Sequence, residues 1–174
     1  PLFGIGNIQA HYGRASETIA RTLGFPVLHH PDVYIVREAE MSRYATERGL
    51  PSPIFTAGLR SEDGIFVGPT SFSDATIAAV LTHELAHDVI DTIDPLGALS
   101  VWLNEGFAEY AGLTASAAVA GSTISEFLRD RLRTIETALE EETLLTLDEL
   151  RDWEWTTQTP REVVSTVYAQ SWAF

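Results

Sequence analysis

"LTHELAHDVI", residues 81–90, places two histidines four residues apart, with a glutamate directly after the first. Apolar residues recur every fourth position along one side of this segment: Ile77, Leu81, Leu85 and Val89. That spacing is typical of the buried face of a helix. On such a helix His83 and His87 lie one turn apart on the same side, about 6 Å along the axis at about 1.5 Å per residue. The segment therefore predicts a helix that directs two imidazoles toward one point.

Two imidazoles on one helix face can bind a single metal ion. Catalytic zinc sites use three protein ligands, accept imidazole nitrogens at about 2.0–2.1 Å and keep one position for water. Glu84 follows His83 and can reach that position, where it would accept a proton from zinc-bound water. The alternative is a pair of ordinary histidines, buried or exposed, on an amphipathic helix. A third ligand would distinguish the two interpretations.

The segment "VWLNEGFAEY", residues 101–110, contains a candidate third ligand in Glu105. The 17 residues between His87 and Glu105 allow a helix end, the turn-forming segment "DTIDPLG" and the start of a second helix that folds back on the first. Glu109, one turn after Glu105, can accept the second ring N–H of a ligand histidine, which would fix the orientation of that ring. A solvated carboxylate in an acidic protein is the other interpretation of Glu109.

"HELAH" followed by "WLNEGFAEY" resembles the gluzincin metallopeptidases, particularly their M1 aminopeptidase-like and peptidase MA-like branch. The family pattern is HExxH, then about 18 residues, then NE within a WLNEGFA segment, and the spacing here is one residue shorter. The resemblance covers roughly residues 77–112. It implies a zincin-like fold, a zinc cofactor, and these site residues: His83, His87 and Glu105 as metal ligands and Glu84 as general base.

A weaker likeness extends to Phe174, because "VYAQSWAF" resembles the segment that carries the catalytic tyrosine of the family. It implies that Tyr168, on the last helix, donates a hydrogen bond to the oxyanion of the tetrahedral intermediate. A core tyrosine packed against Val164 and Trp172 would occupy the same position. No segment like the GAMEN exopeptidase motif is visible, so the resemblance does not extend to aminopeptidase activity.

Composition and charge narrow the classes of partner. The formal net charge is −14, from 25 acidic and 11 basic residues, and all the basic ones are arginine. A field of this sign repels phosphate backbones, so we expect no nucleic-acid partner. With no cysteine, a zinc site must use histidine and carboxylate ligands. No apolar run approaches the roughly 18 residues of a membrane span, so no membrane insertion is expected within this segment.

At 174 residues the chain fits a single domain, residues 1–174. Because it starts at Pro1 and stops inside a helical pattern, we expect a piece of a longer protein, with extracytoplasmic or membrane-anchored placement favoured. Helices are predicted over residues 7–23, 38–48, 99–113 and 123–142, from a cap at Ser73 through the two histidines, and from Pro160 onward. Strands are predicted over residues 32–37, 54–57 and 65–67.

Together these patterns predict an α+β zincin-like domain: a small N-terminal mixed sheet with helices, then the active-site helix and a mainly helical C-terminal half. "DGIFVGP", residues 63–69, is predicted as an edge strand that pairs with extended substrate. The acidic cluster Asp88, Asp91 and Asp94 either favours basic substrates or is a solvated helix end. The predicted function is a zinc-dependent peptidase that cleaves peptide or protein substrates through a zinc-activated water. A non-catalytic zinc-binding domain with a structural or partner-binding role is the alternative.

Overall fold

A computed structural model of the chain describes residues 5–48, 57–68, 73–154, 156 and 159–173. Its elements, in chain order, are α1 (Ile5–Leu23), β1 (Val33–Ile35), α2 (Glu38–Arg48), β2 (Gly58–Ser61), β3 (Gly64–Val67), α3 (Asp74–Ile93), α4 (Val101–Ala120), α5 (Ile124–Glu140), α6 (Leu147–Arg151) and α7 (Arg161–Ala173). The protein is therefore α+β and mostly helical, with a small sheet, which confirms the α+β part of the predicted class. None of the described helices is both long and apolar enough to cross a membrane.

Short-range sequence signals set the helix ends. The Ser73 hydroxyl accepts the backbone N–H of Thr76 at 3.2 Å and starts α3. A capping box starts α6, where Thr146 and Glu149 each accept the backbone N–H of the other, at 3.3 and 2.8 Å. Gly24 ends α1 with a φ of 78°, a conformation that glycine adopts without steric cost. The predicted helices are confirmed, except that the one expected over 99–113 runs over Val101–Ala120.

The sheet has the strand order β1-β3-β2, with β1 parallel and β2 antiparallel to β3. The prediction that residues 63–69 form an edge strand is wrong, because β3 is hydrogen-bonded on both sides and is fully buried. Of the strand predicted over 54–57, only residue 57 is described, and it lies directly before β2 rather than within it. Residues 54–56 lie outside the described part of the chain, and β2 begins only at Gly58. The tight turn at residues 62–63 sets the register of β2 and β3, since it pairs the residues directly before it with those directly after it.

Helix α3 is the central element of the core. Its residues Leu81 and Leu85 are fully buried and join a cluster with Ile65 and Val67 of β3 and with residues of α1 and α4. Burial of each such leucine contributes about 1.5–3 kcal/mol. Helix α3 also packs against α4 and α1, so the histidine-bearing helix is held by several elements besides the sheet.

Two glycines allow α4 to approach its neighbours closely. A Cβ atom added at Gly112 would lie 2.8 Å from the backbone oxygen of Ala79 in α3. A Cβ atom added at Gly106 would lie 2.9 Å from the backbone carbonyl carbon of Ser171 in α7. Both separations are shorter than ordinary van der Waals contact, which for carbon is about 3.5–4.0 Å. Side chains from α3, α4 and α7 can therefore meet at one point.

Candidate metal centre

His83, His87 and Glu105 converge between α3 and α4, as the sequence predicts. The Nε2 atoms of the two histidines are 3.0 Å apart. Glu105 Oε2 lies 3.3 Å from His83 Nε2 and 3.7 Å from His87 Nε2. Among the described residues, these three side chains bring their nitrogen and oxygen atoms close enough together to hold one metal ion.

The separations between the three ligand atoms fit tetrahedral coordination. For bonds of about 2.0–2.1 Å, two ligand atoms of a tetrahedron are about 3.3–3.4 Å apart, since that distance is about 1.63 times the bond length. The observed separations of 3.0, 3.3 and 3.7 Å fall on either side of this value. Two imidazole nitrogens and one carboxylate oxygen also leave a fourth position for another ligand. The group can therefore bind a metal ion without rearrangement of the helices.

The second nitrogen of each histidine ring faces a fixed partner. His87 Nδ1 lies 2.6 Å from Asn104 Oδ1, so a proton on Nδ1 is donated to the amide oxygen and Nε2 keeps its lone pair for the centre. His83 Nδ1 lies 3.6 Å from Glu109 Oε2. Glu109 is only 9% exposed, so the structure places it beside His83 of the candidate metal group and not in solvent. The sequence motifs did not predict a role for Asn104, although its position directly before Glu105 could have indicated one.

Glu84 lies in the cleft beside the centre, against strand β2. It is 8% exposed, and a Cβ atom added at Gly58 of β2 would lie 2.9 Å from Glu84 Cδ. Burial raises the pKa of Glu84, while the nearby imidazoles of His83 and His87 act in the opposite direction. A carboxyl group with a raised pKa is closer to the working range of a group that exchanges protons near neutral pH.

Tyr168, on α7, reaches the same centre. Its ring meets the His83 ring edge-on, with 5.7 Å between ring centroids and an angle of 70° between the planes. Burial and the charges of Glu105, Glu84 and Glu109 raise the pKa of the phenol well above its usual range, and a hydrogen bond to Glu105 acts in the same direction. Tyr168 therefore keeps its proton and can act as a hydrogen-bond donor.

A cleft of about 340 Å³ reaches the centre at His83. Its walls include Gly58 of β2, Glu84 of α3, Glu109 of α4, Arg131 of α5 and Tyr168 of α7. The cleft thus opens between β2 of the sheet and the helices α3, α4, α5 and α7. Arg131 is a further cleft residue that the motifs did not indicate, because it lies on a helix without any metal-ligand pattern.

The acidic cluster that follows the histidines is already paired. Arg60 of β2 donates to Asp88 Oδ1 at 3.3 Å and also contacts the carboxylate of Asp91. Asp94 accepts the backbone N–H groups of Ala98 and Leu99 at 3.0 and 2.6 Å. These contacts support the interpretation of a helix end, because each of the three carboxylates already has a partner within the protein.

Comparisons of the chain with protein-family models, with curated proteins and with solved structures found no match. The gluzincin resemblance therefore stays a prediction, and the geometry of the metal centre is the support for a function.

Proposed function

We propose that this chain is a zinc-dependent peptidase domain of the gluzincin type, with a zincin-like fold. The observation that carries the proposal is that Glu84 and Tyr168 line one cleft together with His83, whose ring nitrogen is grouped with ligand atoms of His87 and Glu105 as a possible metal-binding set. Two histidines and one glutamate form a donor set that zinc uses in metallopeptidases. A purely structural site requires neither a buried carboxylate beside it nor a protonated phenol.

In the proposed reaction the protonation state of each side chain decides whether it accepts or donates a proton. When bound, zinc supplies a Lewis acid that polarises the substrate carbonyl and lowers the pKa of water. Glu84 accepts a proton from the attacking water and passes it to the leaving nitrogen. Tyr168, which keeps its proton, donates a hydrogen bond to the oxygen of the tetrahedral intermediate. Asn104 keeps the His87 ring in the orientation that the ligand set requires.

Strand β2 is our candidate for the substrate-binding strand. In the described sheet β2 lies at one end, hydrogen-bonded to β3 on one side, and Gly58 at its start lines the cleft beside Glu84. An extended peptide can add to such a strand through main-chain hydrogen bonds. We therefore propose β2, and not residues 63–69, as the edge strand that pairs with substrate. The proposed substrate class is a peptide or protein in extended conformation.

Metal analysis combined with a library of quenched fluorescent peptides tests the proposal. We expect one zinc ion per chain and cleavage by the wild type. Glu84→Gln should keep the zinc but lose about 10²–10⁴-fold in rate, the usual contribution of a general base. Glu136→Gln, an exposed glutamate on α5, serves as the matched control and should cleave normally.

Three results would contradict the proposal in different ways. Zinc without cleavage by any form would indicate a non-catalytic zinc-binding domain. Cleavage that persists in Glu84→Gln would remove Glu84 from its role as base. Absence of bound zinc from the wild type would reject the metal assignment itself.

A further inference from the structure

Arg131 of α5 is a cleft residue whose role the proposed reaction leaves open. Among the described residues that line the cleft, it is the single arginine, and it faces a site with several carboxylates. Its Nη2 atom donates to Glu109 Oε1. The Arg131 side chain is 31% exposed, whereas that of Glu109 is 11% exposed. The ion pair is thus more enclosed at its acidic end.

The carboxylate of Glu109 divides its oxygens between two helices. Oε1 accepts from Arg131 of α5, and Oε2 lies 3.6 Å from Nδ1 of His83 of α3. Arg131 and Glu109 therefore connect α5 through α4 to the ring of His83, whose other nitrogen, Nε2, belongs to the candidate metal group. The direct ligand set is built from α3 and α4 alone, so this connection is how α5 reaches the centre.

Arg131 fixes the orientation of Glu109 for a physical reason. A largely buried carboxylate is costly unless it has a cationic or hydrogen-bonding partner. The 3.6 Å separation from His83 is longer than a normal hydrogen bond and cannot hold the carboxylate alone. Without the guanidinium, rotation of Glu109 toward water becomes favourable, and His83 loses the group that faces its second nitrogen.

We propose that Arg131 is a positioning residue for the metal centre, which acts by holding Glu109 against His83. The proposal rests on the metal-binding group and does not require peptidase activity. Loss of such outer partners lowers metal affinity by about 10–100-fold in other sites, and we expect the lower end, about 10-fold, because Arg131 is one step further from the ion.

The test measures the Zn²⁺ dissociation constant of the metal-free chain by competition with a chromophoric chelator. Arg131→Gln should weaken zinc binding about 10-fold. Arg131→Lys should restore part of the affinity, because lysine supplies charge without the two-pronged geometry of arginine. Arg133→Gln is the matched control, since Arg133 lies on the same helix and its pair, Asp130 at 3.1 Å, is exposed. Its zinc affinity should equal that of the wild type.

A double-mutant cycle separates action through Glu109 from a general loss of structure. In the Glu109→Gln background, Arg131→Gln should cause no further loss of zinc affinity, because the residue through which it acts is already altered. An equal loss in both backgrounds would overturn the proposal, and so would an unchanged dissociation constant in Arg131→Gln. If Arg131→Gln does not fold, the Arg131→Lys variant decides: wild-type affinity would overturn the proposal, and a partial loss that disappears with Glu109→Gln would support it. Zinc binding without peptide cleavage by the wild type would leave this proposal intact while rejecting the proposed function.

Discussion

Gly58→Ala tests whether the glycine at the start of β2 makes room for Glu84. The added Cβ atom would lie 2.6 Å from Val80 Cγ1 and 2.9 Å from Glu84 Cδ. Favourable contacts between carbon atoms begin at about 3.5 Å, so the two separations fall short by roughly 0.9 and 0.6 Å. Val80 and Glu84 lie one turn apart on α3 and both face β2. The methyl group must therefore displace the Glu84 side chain or move the strand away from the helix.

The size of this displacement sets the expected effects. A shift of about 1 Å in a catalytic group costs roughly 10²-fold in rate, which corresponds to about 2.7 kcal/mol. Overpacking at such a contact lowers the free energy of unfolding by about 1–3 kcal/mol. The closest atoms to the new methyl belong to Glu84 and Val80, and none belongs to a metal ligand. We therefore expect the zinc dissociation constant to stay at the wild-type value.

Three measurements check this prediction: zinc affinity by chelator competition, the rate on a peptide that the wild type cleaves, and urea unfolding. Gly13→Ala is the matched control, because a Cβ atom at Gly13 of α1 meets no atom within 4 Å. Alanine there should raise the free energy of unfolding by about 0.5–1 kcal/mol through helix propensity. A wild-type rate for Gly58→Ala would refute the reasoning. Lost zinc binding would indicate that β2 positions the zinc-binding side chains and not Glu84.

Further predictions concern the other end of the cleft, the helix contacts and the response to pH. Tyr168→Phe should keep zinc and lower kcat about 10²–10³-fold with little change in KM, and an unchanged kcat would remove Tyr168 from oxyanion stabilisation. Gly106→Ala should lower the free energy of unfolding by about 1–3 kcal/mol in urea, because its Cβ atom would meet the Ser171 backbone, which cannot rotate away; a stabilised variant would contradict that close contact. Hydrogen bonds from Arg37 lower the pKa of Glu40 from 4.5 to about 2. Its contribution to stability is therefore complete above about pH 4.5 and is lost as the pH falls toward 2. An NMR titration should show Arg37→Gln moving this pKa back toward its ordinary value, whereas an unmoved pKa would contradict the contact.

Much of the helical framework could be predicted because its signals act over a few residues. Ser73 and Thr146 cap their helices through side-chain contacts with residues three positions away. The four-residue repeat of apolar side chains identified the buried face of α3. Since His83 and His87 lie on that same helix, their common direction followed from helix geometry alone. Glu105 could be added because two packed helices are the simplest way to bring a third ligand to the pair.

The pairings between distant segments required the tertiary structure. Which strand lies at the end of the sheet depends on how β3 pairs with both β1 and β2, and the alternation of residues within one strand carries no such information. Arg60 meets Asp88, and Arg131 meets Glu109, across separations of 28 and 22 residues. The local sequence does not predict charge pairs of this kind, because it does not show which arginine will meet a given carboxylate.

The sequence by itself determined the helix that carries His83 and His87 and the common direction of the two rings, since a helix converts spacing directly into direction. The tertiary structure decided what surrounds those rings: Gly58 lies against Glu84, Glu109 lies beside Nδ1 of His83, and Tyr168 meets the His83 ring edge-on. Those contacts depend on close approach of separate backbones, which is fixed only when the whole core packs and the glycines of α4 let the helices meet.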